Sequence, residues 1–311
     1  MNLMYLKFAV EVASHGSINK AAEALYMDQS NLSRCIKELE TSLGVNIFER
    51  SSRGMKVTPK GEEFLTYAHS ILKQVDIVEN MFRDDALEKK IFSVSVPRAS
   101  YISEAFSAFS LRLPKDGRFE IFYKETNSLR AIKNILEGDY RLGIVRYAEQ
   151  YDKYYKEMLE SKGLSYELLT EFGYKLVVGK NSPLATKTEI DYADLADKTE
   201  IAHADPYVPA LSLSKVKKEE LPETEKRIFV FERASQFELL SENPDTFMWV
   251  SPVPEHILNA YGLVEKDCSA NNKTYKDVLI CKKDYAFTDL DKAFITELCN
   301  VKRKLFGEKI K

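Results

Sequence analysis

The sequence has no run of about 18 apolar residues, the length that a membrane-crossing helix needs. Its first residues, MNLMYLKFAVEVASHGS, carry Lys7 and Glu11 inside an amphipathic pattern, unlike the apolar core of a secretion signal. Both features argue against export and place the chain in the cytoplasm, away from the membrane. Cysteine is scarce: Cys35, Cys268, Cys281 and Cys299 include no C-x-x-C pair and no histidine at zinc-ligand spacing. Neither a disulfide scaffold nor a metal site is expected, no cofactor is implied, and reduced thiols are the default. The four histidines, His15, His69, His203 and His256, fall in separate segments. No G-x-x-x-x-G-K phosphate loop and no G-x-S-x-G elbow occurs, so an enzyme is not expected. Low-complexity tracts are also missing, and 44% hydrophobic with 30% charged residues is the composition of an ordinary folded protein. A length of 311 residues leaves room for two or three domains.

The net charge of -3 hides an uneven distribution. Between Gln29 and Lys60, six bases (Arg34, Lys37, Arg50, Arg53, Lys56 and Lys60) face three acids (Glu38, Glu40 and Glu49), which gives +3 and leaves -6 for the remainder. A small basic module attached to an acidic body is the electrostatic footprint of a chain that touches nucleic acid through one domain.

Hydrophobic periodicity organises that module. Leu3, Leu6, Phe8, Ala9, Val12 and Ala13 form the stripe of a first helix that His15-Gly16 ends. Ser17 is an N-cap for a second helix through Ile18, Ala21, Ala22 and Leu25, and Asp28 for a third whose stripe is Leu32, Ile36, Leu39 and Leu43. Only Tyr26-Met27-Asp28 separates them, a connection short enough to force a steep crossing of the helix-turn-helix kind. Opposite the buried stripe lie Ser30, Arg34, Lys37 and Thr41, with Gln29 and Ser33 beside them. Arginine can pair two acceptors on guanine and glutamine can pair adenine, so this face suits a major groove. Two short extended pieces follow around the basic turn of ERSSRGMKV, and Thr58-Pro59 opens a long helix to about Leu87. Its residues Phe64, Ala68, Ile71, Val75, Val78 and Phe82 step alternately by four and three, the seam of a coiled coil that wants a partner.

From Ile91 the pattern alternates strand and helix, through IFSVSV, AFSAFSLRL, RFEIFYKE, LRAIKNILEG and YRLGIV, and a second round follows. That round reads as extended segments in ELLTEFGYKLVVGK, a helix in YVPALSLSKVK, strands in TEIAHA, KRIFVFE, TFMWVS and YKDVLICKK, and a closing amphipathic helix. The alternation predicts two α/β lobes with mainly parallel sheets, the chain crossing between them near Tyr147 to Gly163 and again near Phe231 to Ala234. Ligands bind such sheets at the carboxyl ends of their strands.

The series Phe8, Ala9, Ser17, Ala21, Ala22, Leu25, Gln29, Ser30, Ser33, Ile36, Leu39, Glu40, Leu43, Gly44, Phe48, Arg50, Thr58, Gly61 resembles the DNA-binding signature of LysR-type transcriptional regulators. The resemblance is dense over about the first 65 residues. It implies an α+β multidomain chain: a winged helix-turn-helix in residues 1–58, a dimerising linker helix in 59–88, and a bilobed α/β effector-binding domain similar to periplasmic solute receptors in 89–311. Double-stranded DNA, a small-molecule effector and a second copy of the chain, as homodimer or homotetramer, are the partners implied. By the same resemblance, Gln29, Ser30, Ser33 and Arg34 face base edges and nearby phosphates, while Arg50, Arg53 and Thr58 contact the backbone around the wing.

Effector contacts implied by the resemblance are Arg98 and Ser100 after the first strand, Thr126, Asn127 and Ser128 at the helix after the second, and Arg146, His203 and Ser251 at the crossings and the facing lobe. Helix N-termini and two arginines favour an anion, so a small anionic effector is expected. The chain departs from the family pattern in SENPDTFMWVSPVPE, which lacks glycine and adds Phe247 and Trp249, and in the long segment from Tyr147 to Gly163, expected to cover the cleft or serve oligomer contacts. A redox-responsive regulator switching through Cys268 and Cys281 is the alternative. A free solute-binding protein is disfavoured by the attached basic module.

Overall fold

The structure, a computed structural model, describes residues 2–51, 54–81, 89–203 and 224–307. The chain divides into two compact units, Met1–Ala86 and Leu87–Lys311.

The first unit holds α1 (Leu3–His15), α2 (Ile18–Ala24), α3 (Gln29–Leu43), the antiparallel pair β1 (Phe48–Ser51) and β2 (Gly54–Val57), and α4 (Pro59–Met81). Each helix stops where its sequence says it should. Gly16 and Gly44 take the left-handed conformation at the ends of α1 and α3, where a side chain would be strained. The Ser17 hydroxyl accepts from Lys20 N at the start of α2. Asp28 occupies the N-cap position of α3 with an extended backbone, yet its carboxylate makes no capping bond. The reverse between α2 and α3 turns on Tyr26, a non-glycine residue at a φ of 52°. Leu6, Ala9, Val12, Ala21, Leu32, Ile36, Leu39 and Ile47 are buried together. The first half of α4 adds Leu65 to that core and buries Ala68, whereas Ile71 and Val78, further along the proposed seam, are 37% and 52% exposed. Phe82 lies outside the described residues.

Within the second unit, one lobe is a five-stranded sheet in the order β4-β3-β5-β12-β6. Its strands are β3 (Lys90–Val96), β4 (Phe119–Glu125), β5 (Leu142–Ala148), β6 (Leu164–Gly173) and β12 (Thr274–Lys282). Helices α5 (Ser100–Ser110), α6 (Ser128–Leu136), α7 (Asp152–Ser161) and α10 (Asp289–Phe306) belong with it. The other lobe has the order β11-β7-β10-β8-β9, from β7 (Lys175–Gly179), β8 (Thr199–His203), β9 (Lys226–Val230), β10 (Thr246–Val250) and β11 (Leu263–Lys266), with α8 (Arg233–Glu242) and α9 (Glu255–Ala260). The helix expected in YVPALSLSKVK lies outside the described residues.

Both sheets are mixed rather than mainly parallel. Local crossover units build a parallel trio in each lobe, β4-β3-β5 and β9-β8-β10. Beside these, β12 returns from the far half of the chain and inserts antiparallel between β5 and β6, while in the second sheet β7 runs antiparallel to both its neighbours, β10 and β11. The crossings therefore differ from the expected positions. The chain leaves the first lobe at Tyr174, between β6 and β7, and comes back through residues 267–273, between β11 and β12. Phe231 to Ala234 joins β9 to α8 inside the second lobe. The segment from Tyr147 to Gly163 stays in the first lobe, where α7 buries Tyr155 and Leu159 against the sheet and the Tyr147 and Tyr155 rings stack at 4.2 Å.

At the chain's far end, α10 opens with a capping box between Thr288 and Asp291 and buries Phe294, Leu298 and Val301 in the first lobe. Its last residue, Phe306, packs edge-on to Tyr101 and against Phe172, touching the cores of both lobes.

Candidate nucleic-acid interface and ligand cavity

On α3 the apolar stripe Leu32, Ile36 and Leu39 faces the core, which leaves Gln29, Ser30, Arg34 and Lys37 exposed on the other side and Ser33 half-buried between. Arg34 extends 72% exposed, with only a loose contact of 3.8 Å to Glu38 on the next turn. Such a pair is weak in water and yields readily to a stronger acceptor. Because Asp28 leaves the first N–H groups of α3 without a side-chain cap, they are not occupied by a carboxylate of the chain itself.

The wing is fixed to this helix by Glu40, whose Oε1 accepts from Ile47 N at 2.7 Å and Phe48 N at 3.0 Å. Met55 N donates to Gly16 O at 2.8 Å, tying β2 to the end of α1. The β1–β2 pair is thus hydrogen-bonded to both α3 and the end of α1. Arg50 belongs to β1; Arg53 lies outside the described residues.

Thr58 departs from its expected role. It is buried, donates its hydroxyl to Asn46 O at 2.7 Å and accepts from Gly61 N at 2.9 Å, so it has no proton left for a phosphate and serves as the cap of α4. Gly61 allows this close approach, since a Cβ there would meet Ile47 O at 2.2 Å.

In the second unit a cavity of about 650 Å³, counting the space open to solvent at its mouth, lies between the two sheets. All eight effector positions named from the sequence line it: Arg98, Ser100, Thr126, Asn127, Ser128, Arg146, His203 and Ser251. The parallel strands explain the convergence. β3 and β4 end at this edge of the first sheet, so the loops after them deliver Arg98 and Ser100, then Thr126 to Ser128.

Several of these side chains are already engaged. Asn127 Oδ1 caps α6 by accepting from Arg130 N at 2.8 Å. Ser128 Oγ donates to Arg146 O at 2.7 Å and accepts from Arg146 N at 2.8 Å. Arg146 is buried in a two-point pair with Asp277, Nε to Oδ1 at 2.7 Å and Nη2 to Oδ2 at 2.6 Å, and lies over the Phe172 ring at 4.7 Å. Burial works against the charge of this guanidinium, and the Asp277 carboxylate outweighs it, so Arg146 stays protonated. Tyr101 donates to the same carboxylate, and its phenol is pushed up chiefly by burial. The hydroxyls of Ser100, Thr126 and Ser251 make no hydrogen bond to other described residues.

Sequence reasoning missed four lining residues that shape this cavity: Tyr174, Trp249, Arg233 and Gln236. Arg233 is held across the lobes, Nε at 3.2 Å from Glu125 Oε1 and Nη2 donating to Ser103 Oγ at 2.7 Å. Burial pushes the Glu125 carboxyl up, and the guanidinium of Arg233 opposes that rise. The spacing of Arg233 and Gln236, three apart at a helix start, was the only available signal.

Cys268 and Cys281 lie in separate cores, Cys268 in the second lobe's cluster and Cys281 on β12 in the first. Burial pushes both thiols up, which disfavours the reactive thiolate.

Residues 3–62 match the family model described as bacterial regulatory helix-turn-helix protein, lysR family. The N-terminal helix-turn-helix segment is of the lysR family. Among the chain's relatives, the uncharacterized HTH-type transcriptional regulator YdcI of Escherichia coli (strain K12) is 31% identical over 193 residues, 59% of this chain and 58% of that one. The chain thus spans little more than half the length of this curated relative. Two solved structures share the fold along nearly the whole chain. Full-length CbnR complexed with its target DNA superposes with a TM-score of 0.62 at 17% identity, covering 97% of this chain and 100% of that one. ArgP from Mycobacterium tuberculosis gives 0.62 at 18% identity, covering 97% of each. The LysR architecture of winged helix-turn-helix, long helix and two mixed α/β sheets is therefore that of this chain.

Proposed function

We propose that this protein is a transcriptional regulator that binds a pseudo-palindromic promoter site as a dimer, or a dimer of dimers, and answers to a small molecule held in the cavity of its second unit. The observation that carries the reading is the solvent-facing row Gln29, Ser30, Arg34 and Lys37 on a helix whose other face is locked into the core and whose wing is fixed to it by Glu40. A rigid polar helix face of this kind enters the major groove, and its short hydroxyls and guanidinium meet base edges. The match of CbnR bound to its target DNA supports the same docking for this chain. Arg50 and Arg53 supply phosphate contacts that set affinity without reading sequence. Ile71 and Val78, exposed on α4, are the surface through which two copies pair.

The effector acts by binding one arrangement of the dimers more tightly than another. Arg98 and the starts of α5 and α6 favour a negatively charged group, but Arg146 and Arg233 each already face a carboxylate. The redox alternative through Cys268 and Cys281 lacks comparable support, because both thiols are buried in different cores.

Selection of genomic fragments by the purified protein, followed by footprinting, tests the reading. The expected result is a protected site with two related half-sites about one helical turn, or a multiple of it, apart. Retention no better than random DNA would refute it.

A further inference from the structure

Among the buried side-chain atoms of cavity-lining residues without a hydrogen-bond partner among the described residues are Arg233 Nη1 and Gln236 Oε1, both from the first turn of α8. Buried polar groups in folded proteins are nearly always partnered. A donor and an acceptor orphaned together beside one cavity mark where atoms of a bound molecule belong. Their senses differ, since the guanidinium N–H can only donate and the amide oxygen can only accept. Two of the three lining arginines are each set against a carboxylate: Arg233 faces Glu125, and Arg146 forms its two-point pair with Asp277.

We propose that the cavity receives a small uncharged molecule with a carboxamide-type group, whose C=O accepts from Arg233 Nη1 and whose N–H donates to Gln236 Oε1. The proposal rests on the effector reading above and narrows it. A carboxylate would set a second acceptor against Gln236 Oε1. A ketone would serve Arg233 and leave Gln236 unpaired. Glu125 and Ser103 hold the guanidinium in place beforehand, so little ordering is left for the ligand to impose. Both orphaned atoms are buried as the cleft stands, so the ligand reaches them by displacing part of the cavity wall.

Trp249, the sole tryptophan of the chain, lines the same cavity and reports occupancy by its emission. The full-length protein is titrated with two isosteric sets: pentanamide, pentanoate and hexan-2-one by fluorescence, and benzamide, benzoate and acetophenone by calorimetry. The amide of at least one set is expected to bind at least tenfold more tightly than its carboxylate and its ketone. In Gln236→Met, a near-isostere without the acceptor, the preference for amide over ketone is expected to vanish while thermal unfolding stays cooperative. Tighter binding of the carboxylates, which requires Gln236 to turn its amide and donate, overturns the proposal. So does an unchanged preference in Gln236→Met. The absence of saturable binding by all six compounds also overturns it, and if the same preparation still retains its selected DNA, the regulator reading survives that failure.

Discussion

Asp277 and Arg146 stand directly opposite each other in the register of β12 on β5, 131 residues apart in sequence, and their pair is sealed from water. Asp277→Asn leaves a buried guanidinium without its counter-charge, and the expected loss is about 3–5 kcal/mol of stability by urea unfolding. The double change Arg146→Met with Asp277→Leu should lose less than either single change. None of this was legible beforehand: in YKDVLICKK the aspartate looks like one of the solvated positions of a strand, and only the register shows its partner. The solvent-facing row of α3 was legible, because helical spacing alone separates Arg34 from the stripe Leu32, Ile36 and Leu39. Arg34→Ala should cost roughly 1–3 kcal/mol of specific binding and relax preference at one base position, while Arg53→Ala should weaken all sequences alike and lower the salt slope by about one. Equal losses on specific and random DNA for both variants would contradict that division of labour.

Among the elements, α4 carries the clearest consequence. Its first half is bound into the helical core by Leu65, yet Ile71 and Val78 remain exposed although both are apolar and lie on one seam. Glutamate at both positions should dissociate the proposed dimer, and sedimentation at micromolar concentration should find dimers of the unaltered chain and monomers of the variant; an intact dimer in the variant would refute the seam. The helices and strands themselves could be read in advance, since their boundaries rest on local chemistry such as Gly16, Ser17, Gly44 and the Thr58-Pro59 start. The order of strands within each sheet could not. A buried run such as DVLIC fits a parallel or an antiparallel neighbour equally well, and the insertion of β12 between β5 and β6 is decided by contacts made across the whole unit. For the same reason the lobe crossings were misplaced while the loops that line the cavity were located correctly.

At the scale of the molecule, linkage makes a reciprocal demand. If a cavity ligand changes affinity for the selected DNA by some factor, the DNA must change affinity for that ligand by the same factor, which paired titrations with and without DNA would measure. The nature of that ligand shows where residue lists stop being informative. Arg98 and Arg146 suggested an anion, and the carboxylates that answer Arg146 and Arg233 became visible only with the fold. The end of α10 carries a different message. Phe306 wedges between Tyr101 and Phe172, the ring that lies under the Arg146 guanidinium. A stop codon at position 306 would therefore remove a core contact. It should unroof the arginine pair and loosen both lobes, and under the proposed function its carriers should lose the response to a cavity ligand while α1 to α3 stay folded.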